Sequence, residues 1–157
     1  METFGAVRDA ARRKLAVADH LLTQTYPLVQ DPKLLLTVLQ NIAEAIDASI
    51  TYALLHEAAA KRIANVPEGS GERLEAFRQT AARYGVPAEF FRFVEELRAV
   101  LLEHHTSAVE FVRKQQYVIC DEAYRLRTLD EAALTRHVEK TKALLALIES
   151  KTEGGLS

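Results

Sequence analysis

The chain has 157 residues, 48% hydrophobic and 27% charged, with a formal net charge of −2. That balance is globular rather than disordered, and the net charge argues against a broad, sequence-blind coat for nucleic acid while leaving room for a local basic site. One cysteine, Cys120, excludes an internal disulfide and zinc sites built on paired cysteines.

Residues 1–157 are expected to form one domain, because this length can bury a sizeable core and neither side of the clearest loop looks independent. No uninterrupted apolar run reaches about 18 residues, and METFGAVRDAARRK lacks the apolar centre of a signal peptide. The expectation is a cytoplasmic chain without a membrane span.

Apolar spacing predicts a first helix over about Phe4–Thr25, with Val7, Ala11, Ala18 and Leu22 on one face and Pro27 at or beyond its end. Asp31-Pro32 reads as the start of a second helix, a capping carboxylate followed by proline in the first turn. The stripe Leu35, Leu39, Ile42, Ile46, Ile50 and Ala53 carries that helix to about Asn65, some thirty residues and roughly 50 Å. Such a length suggests a kink or an extension into a partner copy. Glu57, on the same stripe, would mark where the helix leaves the core or meets that partner.

Val66–Gly71 is a loop, and a short third helix follows over about Glu72–Tyr84, stopped by Gly85. Pro87 opens a fourth helix carrying Phe90, Phe93, Val94, Leu97, Val100 and Leu101, which weakens near His104–Ser107. Gln116–Cys120 is β-prone and Tyr124–Leu129 alternates. A short hairpin through Asp121-Glu122-Ala123 and an extended brace both fit. Asp130 can cap a last helix running to about Lys151 on Leu134, Val138, Thr141, Leu145 and Ile148, and the tail TEGGLS should fray. The expected fold is all-α: an antiparallel bundle of about five helices, with room for a short hairpin before the last.

The candidate chemistry lies in Arg98–His105. Helical residues advance about 100° each, so Arg98 and His105 point within about 20° of one another, roughly 10 Å apart along the axis. His104 is rotated about 120° from Arg98, and a bend after Leu102 would be needed to bring it in. A guanidinium pairs with phosphate and stabilises added negative charge. An imidazole, with a reference pKa near 6.5, can move protons at neutral pH. RNA brings its own nucleophile, the 2′-hydroxyl, whereas DNA would need water or a metal and no strong metal motif is present. Two-fold packing of this helix on its copy would multiply these groups around one groove. The blander account is a helix-end cap or ion pairs to Glu95, Glu96 or Glu103.

Arg113, Lys114, Tyr117, Arg125 and Arg127 form a second candidate, for phosphate or nucleic-acid binding, since Arg holds phosphate and Tyr stacks on bases. Asp121 and Glu122 lie between them, and a salt-bridged brace to the last helix explains the same residues. A di-iron bundle site needs Glu-x-x-His, which does not occur. No metal ligands and no cofactor are therefore assigned. His137 reads as packed and hydrogen-bonded, Cys120 as a small hydrophobe, and Arg8, Arg12, Arg13 and Lys14 as solvated surface.

Taken together, two long antiparallel helices and a later helix with Arg98–Ala99–Val100–Leu101–Leu102–Glu103–His104 resemble the HEPN superfamily, whose motif is Arg, four to six residues, then His. Five residues intervene to His104 and six to His105. Ala99 departs from the polar residue that usually follows the arginine in active members. The resemblance implies a homodimer in RNA or nucleotide metabolism, either a metal-independent ribonuclease or a non-catalytic module. A module of that kind would partner a nucleotidyltransferase or an antitoxin protein.

Overall fold

The computed structural model describes residues 3–107, 109–121 and 123–152. The elements in order are α1 (Phe4–His20), a π-helical turn (Leu21–Thr25), α2 (Tyr26–Val29), α3 (Lys33–Ala59), α4 (Ser70–Tyr84), α5 (Ala88–Thr106), β1 (Val109–Arg113), β2 (Gln116–Cys120), β3 (Leu126–Leu129) and α6 (Glu131–Thr152). The fold is mostly helical but not all-α, because a small antiparallel sheet of order β1-β2-β3 sits between α5 and α6.

The first helix starts where Thr3 Oγ accepts the Ala6 N–H at 3.1 Å. It does not stop at Thr25. A regular α turn before Pro27 would drive the proline ring into a carbonyl one turn back. The wider π turn, in which the Tyr26 N–H reaches the Leu21 carbonyl, relieves that clash and lets the helix run to Val29. Gln30, at φ 53°, then reverses the chain.

The second predicted helix ends at Ala59, not near Asn65. The Lys61 N–H bonds the Ala58 carbonyl and the Arg62 N–H the Glu57 carbonyl, with Lys61 at φ 63°. This is a Schellman stop with lysine where glycine is usual. Gly85, at φ 72°, and Val86 make the same pair of bonds, to the Ala82 and Ala81 carbonyls, and end α4 as expected. The third helix begins at Ser70 rather than Glu72.

Helix α3, 27 residues and about 40 Å long, is the axis of the molecule. It packs against α1, α4, α5, α6 and β2. By length and mean hydropathy α3 could cross a membrane, but Leu35, Val38, Leu39, Ile42, Ala53 and Leu54 are its fully buried face and form the centre of the core. The predicted stripe of α6 is buried throughout, and Asp130 Oδ1 accepts the Ala133 N–H at 2.8 Å to start that helix. Thr152, read as the first residue of a fraying tail, is buried with its hydroxyl 3.2 Å from that of Tyr52. Residues 153–157 lie outside the described residues.

The predicted hairpin is the β2–β3 pair, with Val118 opposite Thr128 and Cys120 opposite Leu126. The Asp121 carboxylate accepts the Ala123 and Arg125 N–H groups in the connection; Glu122, part of the predicted joint, lies outside the described residues. Strand β1 is the unforeseen addition, pairing with β2 from Val109–Cys120 to Arg113–Gln116. Tyr117, Ile119 and Leu129 turn one face of the sheet into the core.

Candidate functional site

A groove of about 620 Å³ opens between α3 and α5, with the start of α4 at one end. Its floor is apolar: Ile46 and Ile50 from α3, Leu74 from α4, and Val94, Leu97 and Leu101 from α5. Gln40, Glu44 and Asp47 edge it on α3, facing Arg98 and His105 on α5, with Ser70 near Arg98. The apolar face of α5 is drawn to the core, so the residues one step round the helix are left at the rim. That is why Arg98 and His105 project into the same space.

Charge in the groove is largely matched. The Arg73 guanidinium grips Asp47 with two bonds of 2.9 and 2.8 Å. Arg73 also bonds the Pro67 and Glu68 carbonyls, which ties the loop before α4 to α3. Lys14 Nζ lies 2.7 Å from Glu44. Arg98 donates to Ser70 Oγ at 2.9 Å and has no carboxylate within ion-pair distance among the described residues. Of the three acids that the sequence offered as its partners, Glu95 pairs with Arg78 and Glu103 with Arg127 instead. A Cβ on Gly71 would stand 3.3 Å from the Arg98 guanidinium, so the glycine leaves that group its room. The groove thus offers an exposed cation and an exposed imidazole above an apolar floor, an arrangement suited to an anionic ligand with an apolar portion.

The structure separates His104 from His105. His104 does not line the groove. Its Nδ1–H donates to Glu110 of β1 at 2.7 Å. Glu110 also accepts the Ser107 hydroxyl at 2.6 Å and the Tyr117 hydroxyl. Burial alone would raise the Glu110 pKa, but these bonds and the His104 charge outweigh it and hold the carboxyl below its usual range. Burial and the bond to Glu110 push the Tyr117 hydroxyl up to about 12.

The second candidate cluster does not converge. Tyr117 is a core side chain rather than a stacking platform. Arg125 is held by Asp121 at 2.9 Å and Arg127 by Glu103 at 2.7 Å. Arg113 and Lys114 are exposed at the β1–β2 turn. Neither pair braces the last helix: Arg125 is tied within the β2–β3 connection and Arg127 to α5.

Glu57 does not mark an exit from the core or a contact with a second chain. It is fully buried, accepting from Tyr84 at 2.8 Å and Arg62 at 2.5 Å, with Arg83 3.2 Å away. The groove residues Gln40, Glu44 and Asp47 were not singled out from the sequence. Their spacing, four then three on an otherwise apolar helix, is a polar flank that could have been read. Among the described residues no three His, Cys, Asp or Glu side chains gather as a metal ligand set.

No protein-family model, no curated protein and no solved structure matches this chain. The likeness to HEPN domains rests on the residues quoted above.

Proposed function

We propose that the α3–α5 groove binds the phosphodiester backbone of RNA in the cytoplasm and that His105 moves protons in its metal-independent cleavage. The observation carrying this reading is that Arg98 and His105, two turns apart on α5, are both exposed in one groove. A strand laid along α5 meets the guanidinium first and the imidazole roughly 10 Å further on. Arg98 anchors phosphate there. His105 takes the proton from a 2′-hydroxyl as its oxygen attacks phosphorus, the bond to the 5′-oxygen breaks, and that leaving oxygen takes a proton from solvent water. The products are a 2′,3′-cyclic phosphate and a free 5′-hydroxyl.

The axial gap between the two groups favours one second reading: a non-catalytic site in an HEPN-like module that serves a nucleotidyltransferase or an antitoxin. Incubation with mixed RNAs in the presence of chelator separates the readings. Cleavage should fall about 10²–10⁴-fold in His105→Ala. Arg98→Ala should raise KM, while His104→Ala, outside the groove, should leave the rate near that of the parent. RNA binding without cleavage, lost in Arg98→Ala, selects the second reading. Cleavage indifferent to both Arg98→Ala and His105→Ala rejects the mechanism.

A further inference from the structure

Strand β1 concentrates exposed apolar surface that no other element covers. Val109, Phe111 and Val112 are 52%, 38% and 42% exposed. Successive strand residues point to opposite faces, so the exposure lies on both faces of the sheet. Among the described residues the backbone of β1 pairs with β2 only, which leaves its other edge a row of open N–H and C=O groups. The opposite edge, β3, is blunted: it has four residues, and Arg127 is drawn in by Glu103.

We propose that β1 is the surface through which two copies of this chain pair, antiparallel and edge to edge about a two-fold axis, to make one six-stranded sheet. Charge selects a second copy as the occupant. Side-chain alternation restricts a two-fold pairing to registers centred on a residue. Centring on Glu110 or Arg113 would oppose like charges. Centring on Phe111 or on Val112 does not. In both of these registers the cationic Arg113–Lys114 end of one strand lies beside the Val109–Glu110 end of the other. That end follows directly on the C-terminus of the 19-residue helix α5, a negative dipole pole. The complementarity is made twice, once on each side of the axis. Phe111 is then placed at or next to the axis, where it stacks on its own copy or on Arg113. This pairing is independent of the RNA reading.

Sedimentation velocity of the full chain tests it. The parent should be dimeric in the micromolar range. Val112→Lys should weaken the dimer at least about tenfold with an unchanged circular dichroism spectrum. In a Cys120→Ser background, mild oxidation should cross-link Phe111→Cys or Val112→Cys, according to the register, and leave exposed Val17→Cys uncross-linked. A parent that stays monomeric overturns the proposal. So does a dimer that tolerates Val112→Lys and cross-links at neither strand position, since it then forms elsewhere.

Discussion

Glu57 and Glu110 are both carboxylates drawn out of water, and each accepts from a tyrosine hydroxyl, yet they are held in opposite ways. Glu57 lies at the last turn of the core helix against two guanidiniums, Arg62 and Arg83. Glu110 lies on an edge strand against hydroxyls and one imidazole. Burial works against ionisation at both sites, and the surrounding donors outweigh it. The difference is permanence. Guanidiniums keep their charge at every accessible pH, so Glu57 is a fixed post. No guanidinium stands beside Glu110 among the described residues, so it joins helix to sheet through hydroxyl and ring bonds alone.

The strongest way to break the comparison is Glu57→Ala. It strands the Tyr84 hydroxyl and leaves a void beside two arginines, and should lower unfolding free energy by about 2–4 kcal/mol in urea titrations at neutral pH. A loss no larger than that of Glu110→Gln would show that the arginines contribute nothing special.

His137 sharpens the contrast as a half-buried group without a charge partner. Its ring packs on Phe93 at 4.9 Å as expected, but the expected hydrogen bond is not made at Nδ1, which is buried with no partner among the described residues. Burial, with help from Lys140 and Arg136, lowers its pKa from 6.5 to about 4. The unfolded chain therefore binds a proton that the folded chain refuses, and stability present above pH 6.5 is lost as pH falls towards 4. That loss should amount to about 1–3 kcal/mol. Replacing His137 by Leu should flatten the stability curve across this window. Both carboxylates begin to give up their contribution only at the acid end of this window, as pH falls through the ordinary value of 4.5, because their folded pKa values are lowered. A curve unchanged in slope in His137→Leu would remove the ring from the account.

The smallest effect belongs to Glu110→Gln, which weakens the bonds to His104, Ser107 and Tyr117. The expected cost is about 1–2 kcal/mol at neutral pH, read by chemical denaturation. Chemical shifts of β1 and the end of α5 should move while those of α1 and α3 stay. Shifts spread through α3 would mean that Glu110 is part of the core rather than a joint.

Much of the fold was legible wherever one local rule decided it. The α6 stripe and its Asp130 cap, and the stop at Gly85, each follow from residue type and spacing. Lys61 and Arg62 close α3 with the hydrogen bonds that Gly85 and Val86 make for α4, but nothing in a lysine announces a left-handed conformation, so that end was misplaced. Strand β1 was missed for a similar reason: its turn at Lys114, φ 56°, carries neither glycine nor asparagine. In the candidate site, the 100° advance placed Arg98 and His105 together. The diversion of His104 depends on Glu110, which lies across a change from helix to strand where helical geometry has no reach. The polar flank of α3 was obscured by the apolar residues around it.

The π turn at Leu21–Thr25 has a mechanical consequence. One additional residue sets the phase of everything after it back by about 100°. Up to Leu22 the first helix buries its face in the bundle. Beyond the wide turn Tyr26 is buried and its hydroxyl donates to Gln115 at 3.2 Å, at the tip of the β1–β2 turn. A single rod thereby grips two neighbours from different angles. Pull on the hairpin tip is transmitted to the N-terminal rod through a latch whose aim is set by one residue of register.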